Sequence, residues 1–167
     1  RLIELTKGSL TLGSLIVEPF SVSHDAADPI GINVFAGNDK ATIVTDTGVI
    51  SDDILRRIDD TTLLVLEANY DPHMLRFGPY QPFLKQRVAS DEGHLSNEMA
   101  AQALLMMKRP DFMQVILAHR SENNNNAVLV TQTIGKMLVD GGVRIGPEMK
   151  LQHGQPNEIV SIQSVKR

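Results

Sequence analysis

The chain has 167 residues, of which 42% are hydrophobic and 22% are charged, a balance typical of a soluble globular domain. It contains no cysteine, which excludes disulfides and thiolate metal sites, and no apolar run of the roughly 20 residues that a membrane helix needs. Its net charge of −4 excludes a global attraction to nucleic acid, because that attraction depends on Lys and Arg neutralising phosphates. We therefore expect a cytoplasmic protein with no membrane partner.

Short apolar runs bounded by turn residues predict strands in the first part of the chain. They are a hairpin over Ser9–Phe20, then Ile32–Ala36, Ala41–Thr45 and Thr62–Glu67. Between the last two, Asp52–Ile58 is predicted to be a short helix with Ser51 as its N-cap, because a Ser side chain accepts hydrogen bonds from the first helical amides.

The second part of the chain alternates between helices and strands. Three prolines in Tyr70–Arg87 predict loop or short helix there. The later elements are a helix from Ser96 or Asn97 to Met107, a strand at Met113–Ala118, a helix at Asn125–Val139, and edge strands at Val143–Ile145 and Ile159–Ile162. Continuous apolar strands alternating with helices predict an α/β fold with helices packed on sheet faces.

Three potential metal ligands lie at strand ends: His24, Asp46 and His119. The carboxyl ends of several strands can meet at one edge, so these side chains can converge, and a ligand set of imidazole and carboxylate suits Zn, Mn or Fe. A carboxylate at the end of a buried strand, such as Asp46, must be paired, hydrogen-bonded or metal-bound. Taken singly, each residue also fits a structural role: a loop histidine, a turn aspartate or a satisfied core histidine.

Two further residues are candidates for proton transfer or ligand orientation. Glu67 ends a predicted strand and could orient a histidine or act as a structural hydrogen-bond acceptor. His94 precedes a helix N-terminus, where it could protonate a leaving oxygen or bind phosphate. It could also be part of the N-terminal cap with no chemical role. Lys85 and Arg87, just upstream, are the better candidates among the basic residues for phosphate contacts.

Five motifs occur in a fixed order between about Phe20 and Val139. They are His24–Gly31, Thr45-Asp46-Thr47-Gly48, Leu66–Asp71, Ser90–Asn97 and Leu117–Asn124. Together they resemble the metallo-β-lactamase superfamily and, within it, the YycJ (WalJ)-type hydrolases, which are relatives of ribonuclease Z. The resemblance implies a four-layer αββα sandwich with a dinuclear metal site at one edge of two facing sheets, of which residues 1–167, as a single partial domain, would be roughly the C-terminal two thirds.

The resemblance also implies roles for individual residues. His24 matches a ligand of the first metal, Asp46 the carboxylate that bridges both metals, and His119 a ligand of the second. Glu67 and His94 match a pair that assists protonation of the leaving group. The implied cofactors are two divalent ions, Zn or Mn, and the implied activity is hydrolysis of nucleic-acid phosphodiesters, usually as a DNA exonuclease.

The sequence departs from the family in one large feature. The His-x-His-x-Asp-His motif that normally supplies four ligands upstream of His24 is absent, so we expect a missing N-terminal segment or a second chain to complete the site. Tyr70 and Arg120 also stand where the family often has His and Leu. Three readings stay open: a nuclease, a hydrolase of small esters, lactones or thioesters on the same fold, and an incomplete binding module without catalysis. A homo-oligomer also stays open.

Overall fold

The computed structural model describes residues 8–155 and 158–162. Seven strands lie in these ranges: β1 (Leu10–Leu12), β2 (Leu15–Ser21), β3 (Ile30–Ala36), β4 (Asp39–Val44), β5 (Leu63–Glu67), β6 (Met113–Ala118) and β7 (Met149–His153). Five helices accompany them: α1 (Asp52–Ile58), α2 (Pro72–Phe77), α3 (Pro82–Val88), α4 (Asn97–Met106) and α5 (Ala127–Asp140). No helix in this part of the chain is long and apolar enough to cross a membrane.

The strands form one sheet in the order of the sequence, from β1 to β7. Strands β1 to β4 are antiparallel neighbours, whereas β4, β5, β6 and β7 run parallel to one another. Parallel neighbours need crossover connections, and α1, the α2–α4 segment and α5 supply them. The carboxyl ends of β4, β5 and β6 therefore lie side by side at one edge of the sheet.

One face of the sheet carries the hydrophobic core. Its strand side chains are almost completely buried: Val44, Leu64, Leu66, Val115, Leu117 and Met149. Helices α1, α4 and α5 cover this face with Ile58, Leu104 and Ile134, each fully buried. Burial of each such side chain contributes about 1.5–3 kcal/mol, so this face holds the parallel strands and their crossover helices in register.

The opposite face is also apolar but only partly covered. Leu12, Leu15, Ile30 and Ile43 point to this side and are 48%, 38%, 42% and 43% exposed. Residues 8–155 and 158–162 thus supply one sheet of the expected sandwich and the helices on its outer side. The predicted α/β class is confirmed by this mixed sheet.

Most of the predicted elements are present, but both tail strands are wrong. Val143 and Arg144 have no regular structure, Ile145 makes only a single bridge to Met149, and Ile159–Ile162 has no strand structure. The seventh strand is instead Met149–His153, which pairs in parallel with β6. Val143 is buried as a packing residue rather than as a strand residue, whereas β7 alternates apolar and polar side chains, as a strand covered on one face does.

The segment between α3 and α4 packs closely against its neighbours. A Cβ atom on Gly93 would lie 2.2 Å from the carbonyl oxygen of Arg87 and 2.4 Å from that of Val88. A Cβ on Gly48, in the loop after β4, would lie 2.3 Å from the carbonyl oxygen of Ser90. Both contacts are with backbone, which cannot rotate away, so these positions require glycine.

We expect Gly93→Ala to destabilise the fold by about 2 kcal/mol, because overpacked sites typically lose 1–3 kcal/mol. For a domain of this size, that lowers the melting temperature by roughly 4–8 °C in a thermal unfolding experiment. The matched control is Gly135→Ala inside α5, where the nearest atom to a new Cβ is 3.8 Å away. This control should leave stability unchanged or raise it by about 0.5–1 kcal/mol, since alanine is the better helix former. Equal effects of the two substitutions would contradict the prediction.

Candidate metal centre

Three of the predicted site residues end neighbouring parallel strands. Glu67 is the last residue of β5, His119 follows the last residue of β6, and Asp46 lies two residues beyond β4. Asp46 and His119 have φ angles of 55° and 51°, in the left-handed region that most side chains avoid but that Asp and His enter more often than others. Such backbone turns the chain sharply at the sheet edge, and residues held this way cluster at functional sites.

Glu67 occupies the centre of the site and is fully buried. Its Oε1 accepts hydrogen bonds from Nδ1 of His94 (2.8 Å) and of His119 (2.6 Å). Its Oε2 accepts from the backbone amides of Thr47 (3.2 Å) and Leu95 (3.3 Å). Burial alone would raise the pKa of Glu67, but the bonds from His119 and His94 hold it below its usual range. The carboxyl is therefore an ionised acceptor with four donors.

The hydrogen bonds determine which nitrogen of each histidine is free. Nδ1 of His24 lies 3.1 Å from the carbonyl oxygen of Gly93, and Nδ1 of His94 and His119 meet the Glu67 carboxylate. Carbonyl and carboxylate oxygens only accept hydrogen bonds, so each Nδ1 must carry the proton. The neutral rings of all three histidines then keep a lone pair on Nε2, the arrangement found in histidines that bind metals.

The Nε2 atoms of His24 and His119 both lie near Asp46, and Nε2 of His24 also lies 3.5 Å from Oδ1 of Asp25. Oδ1 of Asp46 lies 3.8 Å from Nε2 of His24 and 3.6 Å from Nε2 of His119. The ring of His94 lies 5.1 Å from the rings of both other histidines. Ligand atoms of Asp46, Glu67, His94 and His119 all lie within 4.8 Å of one another. Imidazole nitrogens beside a carboxylate are a donor set that suits a divalent cation.

The structure thus brings together all five residues that the sequence singled out: His24, Asp46, Glu67, His94 and His119. Oε1 of Glu67 contacts both His94 and His119, a position that suits orienting the two rings. That His24, Asp46 and His119 bind metal, and that His94 transfers a proton, stay predictions.

A buried asparagine network beside the site was not predicted. Nδ2 of Asn69 donates to the carbonyl oxygen of His119 (2.8 Å). Nδ2 of Asn125 donates to the carbonyl oxygens of Ala68 (3.0 Å) and Asn69 (3.1 Å), and the side chains of Asn125 and Asn97 bond to each other. These bonds fix the loop after β5 to the loop after β6 and hold the backbone of His119. The run of four asparagines directly after the His119 motif was the available signal.

The remaining candidates have other environments. Asp25 forms an ion pair with Arg87, and the bond from that guanidinium holds the pKa of Asp25 below its usual range. Lys85 donates to the backbone of Arg76 instead (2.8 Å). Tyr70 is a buried core residue beside Leu75, and burial raises the pKa of its phenol.

Family membership follows from the sequence match. The family described as "Beta-lactamase superfamily domain" matches residues 1–119, more than half of the chain. The chain belongs to the metallo-β-lactamase superfamily. It is 36% identical over 155 residues to "Exodeoxyribonuclease YycJ" of Bacillus anthracis, covering 93% of this chain and 59% of that protein. It is 33% identical over 147 residues to "Exodeoxyribonuclease WalJ" of Streptococcus pneumoniae, covering 88% and 55%. The chain therefore spans somewhat more than half the length of these relatives.

Solved structures share the fold of this chain. The metallo-β-lactamase fold protein YhfI from Bacillus subtilis aligns with a TM-score of 0.61 at 14% identity, covering 87% of this chain and 50% of that one. Zn²⁺-bound PqqB from Methylobacterium extorquens aligns with a TM-score of 0.58 at 17% identity, covering 88% and 48%. At these identities the likeness establishes the fold alone, and the predicted metallo-β-lactamase architecture is confirmed at that level.

We expect NMR of the metal-free protein at alkaline pH to show the Nδ1–H tautomer for His24, His94 and His119. Long-range ¹H–¹⁵N correlation spectra distinguish the two ring nitrogens directly. Glu67→Ala should release His94 and His119 into a mixture of tautomers. His24 should keep its tautomer in that variant, because its partner is the carbonyl oxygen of Gly93. An Nε2–H tautomer at His94 or His119 in the unsubstituted protein would contradict the hydrogen-bond assignment.

Proposed function

We propose that this protein is a metal-dependent phosphodiesterase that hydrolyses nucleic acid, and specifically an exonuclease acting on DNA. The observation that carries the proposal is the position of the Asp46 carboxylate between Nε2 of His24 and Nε2 of His119, 3.8 and 3.6 Å away. The names of the two relatives, both exodeoxyribonucleases, support the choice of substrate.

Two divalent cations, Zn or Mn, are the proposed cofactors. His24, Asp46 and His119 are the residues of this chain that would hold these ions. When bound, such ions supply Lewis acidity to the phosphoryl group and to the attacking water. Their charge also explains how a chain with a net charge of −4 can accept a polyanion, because bound cations dominate the local potential.

His94 is the proposed proton donor to the leaving oxygen. Its Nδ1–H is fixed on Glu67, so Nε2 is the ring nitrogen left to exchange a proton with the substrate, and the ring lies 5.1 Å from those of His24 and His119. The Glu67 carboxylate stabilises the resulting imidazolium, because it lies 2.8 Å from Nδ1 and is shielded from water. The same oxygen of Glu67 also accepts a hydrogen bond from His119. One carboxylate therefore orients both the proposed metal ligand His119 and the proposed proton donor His94.

We further propose that polypeptide outside residues 1–167, in an N-terminal segment or a second chain, completes the site. His24, Asp46 and His119 are only three donors, and two ions would need more. The apolar sheet face that carries Ile43 and Leu15 is partly exposed and needs a covering layer. The relatives, of which this chain spans 59% and 55%, are long enough to contain both. Assays should therefore use the complete natural polypeptide.

We expect Asp46→Ala in the complete protein to reduce DNA hydrolysis to the rate measured without added metal. The substitution removes the carboxylate between the two histidine nitrogens, so metal binding measured by titration calorimetry should weaken in parallel. The control is Asp53→Ala, which removes an exposed carboxylate that pairs with Arg56 and Arg57 on α1. Undiminished turnover in Asp46→Ala would refute the proposal. Turnover of small esters with none of nucleic acid would favour a small-molecule hydrolase, and no metal affinity at all would favour a binding module.

His94→Asn and Glu67→Gln should separate proton transfer from metal binding. Loss of a general acid typically lowers kcat by about 10²–10⁴-fold, so His94→Asn should show this loss with metal affinity nearly retained. Loss of a carboxylate that orients a ligand histidine costs about 10–100-fold in metal affinity, so Glu67→Gln should lower both metal affinity and kcat. If His94→Asn weakens metal binding as strongly as Asp46→Ala does, His94 is a ligand and not the acid.

A further inference from the structure

A cavity of about 120 Å³ opens beside the metal centre. His24 and His94 form the wall that it shares with the centre, and Leu84, Arg87 and Val88 of α3 form the opposite wall, with Asp25 beside them. The residues of α3 take no part in the proposed chemistry, so this wall needs a separate explanation.

The wall is rigidly attached to the site. The amide of His94 donates to the carbonyl oxygen of Val88 (2.9 Å), and the amide of Asp25 donates to that of Glu92 (3.1 Å). Gly93 is packed against the end of α3 so closely that it cannot carry a side chain. A group bound in the cavity would therefore be held at a fixed position relative to His94, and fixed geometry is what a reacting strand requires.

The cavity combines an apolar surface with one oriented cation. Leu84 and Val88 offer apolar contact, while Nε of Arg87 is bound to the Asp25 carboxylate. No bond from the two Nη groups of Arg87 is found among the described residues, and its side chain is 62% exposed. An exposed ion pair contributes little to stability, so the Asp25–Arg87 pair is better explained as a means of orienting the guanidinium. A planar guanidinium with two free donors matches phosphate geometry.

The volume restricts what can enter. A closed cavity of roughly 150 Å³ holds benzene, so about 120 Å³ encloses part of one ring-sized group and not a whole nucleotide. Because the cavity is partly open to solvent, a base or sugar of a strand can insert into it while the rest of the unit stays outside, with its phosphate at the exposed guanidinium.

We propose that this cavity binds the nucleotide unit next to the scissile phosphodiester of a DNA strand, with its base or sugar against Leu84 and Val88 and its phosphate on Arg87. The inference rests on the proposed nuclease function and adds a specificity-determining residue to it. Arg87 positions the strand and does not touch the reacting atoms.

The test compares four forms of the complete natural polypeptide loaded with Mn: unsubstituted, Arg87→Gln, Arg87→Lys and Arg144→Gln. Arg144 is the matched control, because it also forms an exposed ion pair with a carboxylate, Glu148 (2.5 Å), but at the opposite edge of the sheet. Cleavage of a DNA oligonucleotide and of bis(p-nitrophenyl) phosphate, which has no second phosphate, is measured over a range of salt concentrations.

Arg87→Gln should raise KM for the oligonucleotide about tenfold or more, with a much smaller change in kcat. The loss in kcat/KM should be at least about tenfold larger for the oligonucleotide than for the small diester. The dependence of log KM on log salt should become shallower by about 0.7–1, the contribution of one phosphate contact. Arg87→Lys should retain the salt dependence and recover part of the affinity, since it keeps the charge but not the planar fork.

Two failures are distinguishable. If the unsubstituted enzyme cleaves DNA and Arg87→Gln behaves like Arg144→Gln in KM and in salt dependence, the subsite is overturned and the nuclease function stands. If the unsubstituted enzyme cleaves no DNA, the proposed function fails and the subsite fails with it. Equal losses on both substrates would assign Arg87 to the reacting centre and also overturn the subsite.

Discussion

A single buried carboxylate, that of Glu67, determines the geometry of this site. A charge without donors in the protein interior is strongly unfavourable, and removing one partner of a buried pair typically costs about 3–5 kcal/mol. Glu67 meets this constraint with four hydrogen bonds from three segments: the loop after β4, the segment before α4 and the residue after β6. The fold can bury the carboxylate only if these segments come together, so the interaction that stabilises Glu67 also assembles the histidines.

The sheet brings these segments close enough for this to happen. Strands β4, β5 and β6 are parallel neighbours, so their carboxyl ends present Asp46, Glu67 and His119 at one edge. Asp46 and His119 both have left-handed backbone at the point where the chain leaves its strand. The glycine at position 93 lets the segment after α3 approach without a gap. The parallel strands therefore fix where Asp46, Glu67 and His119 lie.

The sequence predicted the residues of the site better than the bonds among them. Met113–Ala118 and Asp52–Ile58 have the predicted bounds, because a continuous apolar run and a Ser N-cap are local signals. The β7 strand was missed because the alternation in Met149–His153 covers only five residues, and the strand depends on parallel pairing with β6 across a whole helix. The asparagine network was missed for the same reason, since Asn125 bonds to residues 28 to 57 positions away in sequence.

Two features that look unrelated have one explanation under the proposed function. The proposed ligands His24, Asp46 and His119 are three donors where two ions would need more, and the described residues leave one apolar sheet face partly exposed. A second sheet against that face would bury Ile43 and Leu15, and its strand ends would approach the same edge as those of β4 and β6. One added layer would therefore complete both the hydrophobic core and the ligand set. Metal binding should then depend on that layer as strongly as stability does, because the ligands and the buried surface would come from the same polypeptide.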